Sequence, residues 1–336
     1  MISLKPTALV LFGGGGGSTL GLERAGFETV SVDNEQWCVD TLDAQGFPYI
    51  LANLSRPGGR RMVRDIWNTV HEGERPDTFW TSPPCQPFSK ARQAKLEDAP
   101  LDERADGFVW SLAIVRMLKP RSVVVENVTG APFAEWAQVL RRWYPHVIVR
   151  TINAADHGVP QSLERRFLVA TEEAPVSLAH VPTRHMTLGE ALPWVSELVR
   201  SPSHARHVPP THRLPIAPVK VPPRIVIFPY GIGGNKPQLL DRPAPTVTCQ
   251  EVRGTRASSA SNWHYNGGPD RLSDALFSAV RVRRATVQDC LIIQGMPADY
   301  KLVGTVEQQY KMVGNMVPPA VAEFIGTRVR EVLDGE

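Results

Sequence analysis

The sequence predicts an α/β protein built on a doubly wound, mainly parallel β-sheet, with a second, smaller, irregular β-containing domain inserted late in the chain. Three observations carry that expectation. Short apolar runs alternate with helical patterns over residues 7–170, and five consecutive glycines follow the first run. The alternation then breaks at about residue 172, the chain becomes proline-rich over 200–245, and regular patterning returns at Thr286.

The elements follow in order. Ala8-Leu9-Val10-Leu11-Phe12 reads as a buried strand, and Thr19–Ala25 as the helix beyond Gly13–Gly17. Thr29–Asp33 reads as a second strand, and Thr78–Thr81 as a third that runs into Pro83-Pro84-Cys85. Phe108–Met117 is helical, and Ser122–Val125 is a fourth strand ending at Glu126-Asn127. Val147–Ile152 and Arg166–Thr171 read as two more strands. Thr286-Val287-Gln288-Asp289 has the form of a capping box, and a last helix runs from Pro319 to Leu333. The domains expected are 1–171, 172–283, and a segment 284–336 that completes the first.

Composition excludes several classes. The chain of 336 residues is long enough to bury one large core or two unequal ones. No apolar run approaches the roughly 20 residues that span a bilayer. The N-terminus lacks a basic-then-apolar leader, so the expected location is the cytoplasm, without a membrane partner and as a monomer. The four cysteines, Cys38, Cys85, Cys249 and Cys290, lie far apart without metal-ligand spacing, so no metal is expected. Net charge is only +3, but Leu198–Leu240 contains no acid while holding Arg200, Arg206, Arg213, Lys220, Arg224 and Lys236. That distribution points to a local polyanion contact, or to a solvated surface loop.

In a doubly wound sheet, ligands sit beyond the carboxyl ends of the strands. The glycines, Cys85 and Glu126 all follow strand ends, so one crevice gathers them. Gly14, Gly16 and Gly17, after Phe12, let the backbone approach a ligand closely. Glu35, after the second strand, is placed to accept ribose hydroxyls, and Trp37 either packs on a purine ring or fills the core. Cys85 sits in a rigid turn beside Gln86 and Ser89, which suits a nucleophilic thiolate as well as a packing thiol. Glu126 in a partly buried place holds its proton and can act as a donor.

The ordered set Phe12-Gly13-Gly14-Gly15-Gly16-Gly17, Pro84-Cys85-Gln86, Glu126-Asn127-Val128, Gln161-x-x-x-Arg165 and Gly314-Asn315-Met316-Val317-Pro318-Pro319 resembles the cytosine C5-specific DNA methyltransferase family. Arg242-Pro243-Ala244-Pro245-Thr246 and Gln294-Gly295-Met296-Pro297 agree with it. The resemblance covers most of the chain outside roughly 172–240. It implies the S-adenosylmethionine-dependent methyltransferase fold, double-stranded DNA as partner, S-adenosylhomocysteine as product, and 172–283 as the target-recognition domain. It further implies Cys85 as the thiolate that adds to C6 of a flipped-out cytosine. Glu126 bonds ring N3, Arg165 contacts O2, and Asn127 orients the cysteine turn. Cofactor contacts fall to Phe12, Gly14, Gly16, Gly17, Glu35, Trp37, Pro83, Asn315 and Val317, with either Asp65 or Asn53 near the adenine amino group. DNA contacts fall to Gln86, Ser89, Lys90, Arg92, Gln161, Arg206 and Arg213, with Ser89–Lys95 as a lid over the extruded nucleotide.

Two positions depart from the family pattern. Val10 stands where the family has an aspartate, and Leu163 where it has the first of two arginines. Arg166 is a poor substitute, since it points to the opposite strand face from Arg165. Two alternatives stay open. The related tRNA-methylating branch has a Cys-Phe-Thr signature, and none of the four cysteines here precedes phenylalanine. A catalytically silent DNA-binding relative is the other.

Overall fold

The computed structural model describes residues 5–84, 107–193, 226–228, 238–239, 243–246, 282–284 and 286–335. Its elements are β1 (Thr7–Leu11), α1 (Gly17–Arg24), β2 (Glu28–Asp33), α2 (Gln36–Ala44), β3 (Tyr49–Leu51), α3 (Pro57–Val70) and β4 (Thr78–Thr81). Next come α4 (Gly107–Leu118), β5 (Ser122–Asn127), α5 (Phe133–Leu140), β6 (His146–Asn153), a 3-10 turn (Ala154–His157), β7 (Gln161–Ser162) and β8 (Glu164–Thr171). Then follow α6 (Leu188–Ala191), β9 (Val226–Phe228), β10 (Gln238–Leu239), β11 (Ala244–Pro245) and β12 (Val282–Arg284). The chain closes with α7 (Val287–Ile293), α8 (Val306–Asn315) and α9 (Pro319–Asp334).

Seven strands form one sheet in the order β3-β2-β1-β4-β5-β8-β6. The first five are mutually parallel, and β8 runs antiparallel between β5 and β6. Strand order reverses direction between β1 and β4, so the crevice for a ligand lies at their carboxyl ends. β1 is apolar along nearly its whole length, and β5 is buried at every position, because helices cover both faces of the sheet. On one face Leu9, Leu11, Phe79, Val123 and Val125 pack under α3, α4 and α5 through Trp67, Phe108 and Trp136. On the other, Ala8, Val10, Trp80 and Val124 meet Leu22 of α1 and Val321, Ile325 and Val329 of α9.

The last helix therefore packs beside the first. Gly21 permits this, since a Cβ there would clash with Ala322 and the Pro319 carbonyl. The expected capping box is present: Thr286 Oγ1 accepts from the Asp289 N–H, and the Asp289 carboxylate accepts from the Thr286 N–H. Of the expected second domain, the described residues contain a three-stranded sheet of order β10-β9-β12 and the strand β11, which pairs with β7. Boundaries shift slightly from expectation. Helix α1 starts at Gly17 rather than Thr19, and β8 starts at Glu164 rather than Arg166.

Candidate active site at the strand ends

The glycine loop leaves β1 through left-handed backbone. Phe12 has φ 57°, Gly14 φ 54° and Gly16 φ 84°. Two of these are glycines, which reach that region freely, whereas Phe12 pays about 1–3 kcal/mol for it. The loop is pinned by the Gly13 N–H to the Val32 carbonyl (3.0 Å) and the Gly14 N–H to Asp33 Oδ2 (2.9 Å). Asp33 also accepts the N–H groups of Asn34 (2.8 Å) and Glu35 (3.0 Å) on Oδ1. Burial pushes its carboxyl above the ordinary range, and those three N–H donors pull it back.

Asp33 went unremarked in the sequence except as a strand residue. The signal was an acid ending a buried strand one strand over from the glycines. Its removal has a definite expected outcome. Asp33→Ala orphans three backbone donors, so the melting curve should show a loss of about 1–3 kcal/mol, with weaker S-adenosylhomocysteine binding by calorimetry. Wild-type melting and binding would remove Asp33 as the loop's anchor.

On the far side of the loop lies the C-terminal segment. Tyr300 donates its hydroxyl to the Gly15 carbonyl (2.8 Å). A Cβ on Gly17 would run into the Val317 carbonyl and Met316, so glycine is required for this close approach. Val317 is buried here, while Asn315 at the end of α8 is exposed. A Cβ on Gly14 meets nothing nearer than the Phe12 carbonyl at 3.9 Å, so that side of the loop is open. Glu35, the N-cap of α2, is half-buried and accepts from Trp37 Nε1 (3.0 Å). Lys311 of α8 stands 3.9 Å from Glu35 and 5.1 Å above the Trp37 ring.

Beyond β4 and β5 lies a second group. Glu126 is 6% exposed, and Arg165 Nε stands 3.3 Å from its Oε1. Burial pushes the Glu126 carboxyl above its ordinary range, with Arg165 and a hydrogen bond to Ser82 pulling the other way. Ser82 in turn accepts from Trp80 Nε1 (3.1 Å). Asn127, on the alternate face of β5, is buried and donates from Nδ2 to the Pro83 carbonyl (2.9 Å). Pro83 and Pro84 lie against Gly107 at the start of α4, next to the Phe12 ring. Glu126, Arg165, Asn127, Pro83 and the glycine loop are thus gathered at one end of the sheet. Cys85, Gln86, Ser89, Lys90, Arg92, Arg206 and Arg213 lie outside the described residues, as do the Ser89–Lys95 lid and His204, His207 and His212.

Two residues expected to contact ligands have partners within the chain. Gln161, expected on DNA, is fully buried and donates from Nε2 to Gln294 Oε1 (3.0 Å). A short strand flanked by β11 and α7 encloses it. Asp65, expected near the cofactor, lies within α3 and is exposed, paired with Arg64 at 2.6 Å. Asn53, the alternative, follows β3 directly and accepts from the Ser55 N–H and hydroxyl. The two departures are apolar packing: Val10 and Leu163 are buried in the cluster around Trp80 and Phe167. Arg166 points to the other face, over the Phe133 ring at 5.8 Å, with Nε 3.3 Å from Thr151 Oγ1.

A family model described as C-5 cytosine-specific DNA methylase matches residues 7–331. The chain belongs to that family. This methyltransferase is 27% identical over 350 residues to the Type II methyltransferase M.AplI of Arthrospira platensis, covering 100% of this chain and 88% of the relative. It is 25% identical to Type II methyltransferase M.NgoMIV of Neisseria gonorrhoeae, covering 98% and 99%. Among solved structures, the Entamoeba histolytica methyltransferase EhMeth aligns with a TM-score of 0.64 at 17% identity over 98% of this chain and 99% of that one. The S. pombe Dnmt2 methyltransferase aligns at 0.61 and 14%, over 98% and 100%. At such identity these two establish the fold. The protein is a DNA cytosine-5 methyltransferase of the S-adenosylmethionine-dependent fold. Among the described residues no helix is long and apolar enough to cross a membrane.

Proposed function

We propose that the methyltransferase modifies C5 of a cytosine flipped out of double-stranded DNA, through a covalent bond between Cys85 and C6, in a restriction–modification setting. The observation that carries this reading is the buried Glu126 beside Arg165, on the strand whose next residue, Asn127, holds the Pro83 carbonyl. Cytosine C5 is a weak nucleophile until something adds at C6. Cys85, two residues after the anchored Pro83, is assigned that addition. Glu126, whose carboxyl burial pushes above its ordinary range, donates to ring N3 as electrons move into the ring, and Arg165 holds O2. Once C5 carries the methyl group, a base takes the C5 proton, the C6–S bond breaks to release the Cys85 thiolate, and the N3 proton returns to Glu126 as the aromatic ring is restored.

S-adenosylmethionine supplies an electrophilic methyl group. The residues present fit it: the open side of Gly14 admits close approach, and Glu35 with Trp37 offers a carboxylate and an aromatic face at the end of β2. Phe12, Gly16, Gly17, Pro83, Asn315 and Val317 complete that enclosure, and Asn53 replaces Asp65 at the adenine end. Because C5 and C6 are stacked within a duplex, the base must leave the helix to reach these groups. Arg206 and Arg213, with Ser89, Lys90 and Arg92, are assigned to the DNA backbone, where contacts position without specifying sequence. The relatives' printed names, Type II methyltransferases, support the restriction–modification setting.

Transfer of a labelled methyl group from the cofactor into duplex DNA, but not into tRNA, is the expected result. Label in tRNA alone would overturn the substrate assignment, and label in neither would favour a silent DNA-binding relative.

A further inference from the structure

A polar chain crosses the apolar interior between the two halves of the site. Gln161 and Gln294 are both fully buried. Gln161 Nε2 donates to Gln294 Oε1 (3.0 Å) and to the Ile293 carbonyl (3.4 Å), and Gln294 Nε2 donates to the Val313 carbonyl (2.7 Å). Around them stand Leu291, Ile293, Met296 and Val313, an apolar cluster that side chains of similar volume would fill without desolvating two amides.

Each end of this chain touches a different function. Gln161 lies in β7, four residues before Arg165. Its strand pairs with Ala244–Pro245, which lies within the region 172–283 assigned to target recognition. The Ala244 N–H to Pro160 carbonyl bond (2.9 Å) fastens that pairing. Val313 lies two residues before Asn315, and the following Met316 and Val317 press on Gly15 and Gly17 of the cofactor loop. Apolar groups slide past one another at small cost, whereas a pair of directed amide bonds holds one register.

We propose that Gln161 and Gln294 are positioning residues that lock the base-side strand β7, and with it the recognition-region strand β11, to the cofactor-side segment, so that DNA and cofactor strengthen each other's binding. The proposal rests on the reading of the site given above. Both side chains are fully buried, so their role is exerted through the segments they join. By linkage, whatever factor S-adenosylhomocysteine adds to DNA affinity, DNA adds to S-adenosylhomocysteine affinity.

The test uses the full chain as wild type, Gln161→Met, Gln294→Met and the double variant. DNA Kd is measured with and without saturating S-adenosylhomocysteine, on a duplex that wild type methylates, alongside melting temperature. Wild type should bind DNA at least about 5-fold tighter with S-adenosylhomocysteine present. Each single variant removes the Gln161–Gln294 bond while keeping one buried amide, and should melt lower. The double variant should regain most of the melting temperature while its ratio of the two Kd values falls close to unity. A double variant that keeps the wild-type ratio overturns the proposal, as does a wild-type ratio of one. So does a double variant melting no higher than the singles, because the pair would then serve packing alone. Failure of wild type to methylate any duplex would instead overturn the reading of the site.

Discussion

Cys85→Ala is expected to transfer no measurable methyl group, a fall on the order of 10⁶-fold, the scale at which loss of a nucleophile acts in other covalent enzymes. The physical reason is that C5 becomes nucleophilic only when a thiolate saturates C6. Among the described residues beyond β4 and β5 the groups are a carboxylic acid, a guanidinium, an amide and the Ser82 hydroxyl, and none of them is a thiolate. Binding of S-adenosylhomocysteine should be unchanged, since Asp33, Tyr300 and the C-terminal segment shape the glycine loop without help from Cys85. Single-turnover methyl transfer and calorimetry on the same preparation check both halves. Residual transfer above about one part in 10³ would mean that the reaction runs without the adduct.

Glu126→Gln is the second large effect. Kcat should fall by about 10²–10⁴-fold, the usual worth of a positioned proton donor. The direction with pH follows from burial, which holds the wild-type carboxyl above its ordinary range. Activity that needs the proton is full at lower pH and falls as pH rises through the raised value, and the variant should lack that limb. Stability moves the same way. In the unfolded chain this carboxyl ionises near its ordinary value of 4.5, while the folded protein retains the proton further up. Rising pH above the unfolded value therefore favours unfolding of wild type. Compared at about pH 5 and about pH 8, the stability of wild type relative to the variant should decline. A pH-rate profile identical in the two proteins would remove Glu126 as the proton donor.

Much of this was legible in the sequence because its signals are local. An apolar run into Gly13–Gly17 marks β1 and its loop, and Glu126-Asn127 ends an unmistakably buried strand. The edge strand β3 was missed, being only three residues long with Tyr49 and Leu51 exposed. Helix α3 was missed too: its first residues are Pro57-Gly58-Gly59, and it buries only Val63 and Trp67. What the sequence could not show is tertiary. Gln161 looks like any polar side chain until Gln294, more than a hundred residues away, is seen to enclose it. Asp65 fits the cofactor by spacing alone, but three-dimensional placement puts Asn53 at the strand end instead. Asp33 had the right position and type, yet nothing in one dimension shows that it faces Gly14.

In the proposed reaction Cys85 acts with Glu126 and Arg165 to place a methyl group on C5 of cytosine in DNA. Bisulfite sequencing of a plasmid recovered from cells expressing the chain tests it most directly. The account predicts protected cytosines within one recurring short sequence for wild type, and none for Cys85→Ala. Full bisulfite conversion at every cytosine with wild type expressed, or the same protection from Cys85→Ala, would contradict it.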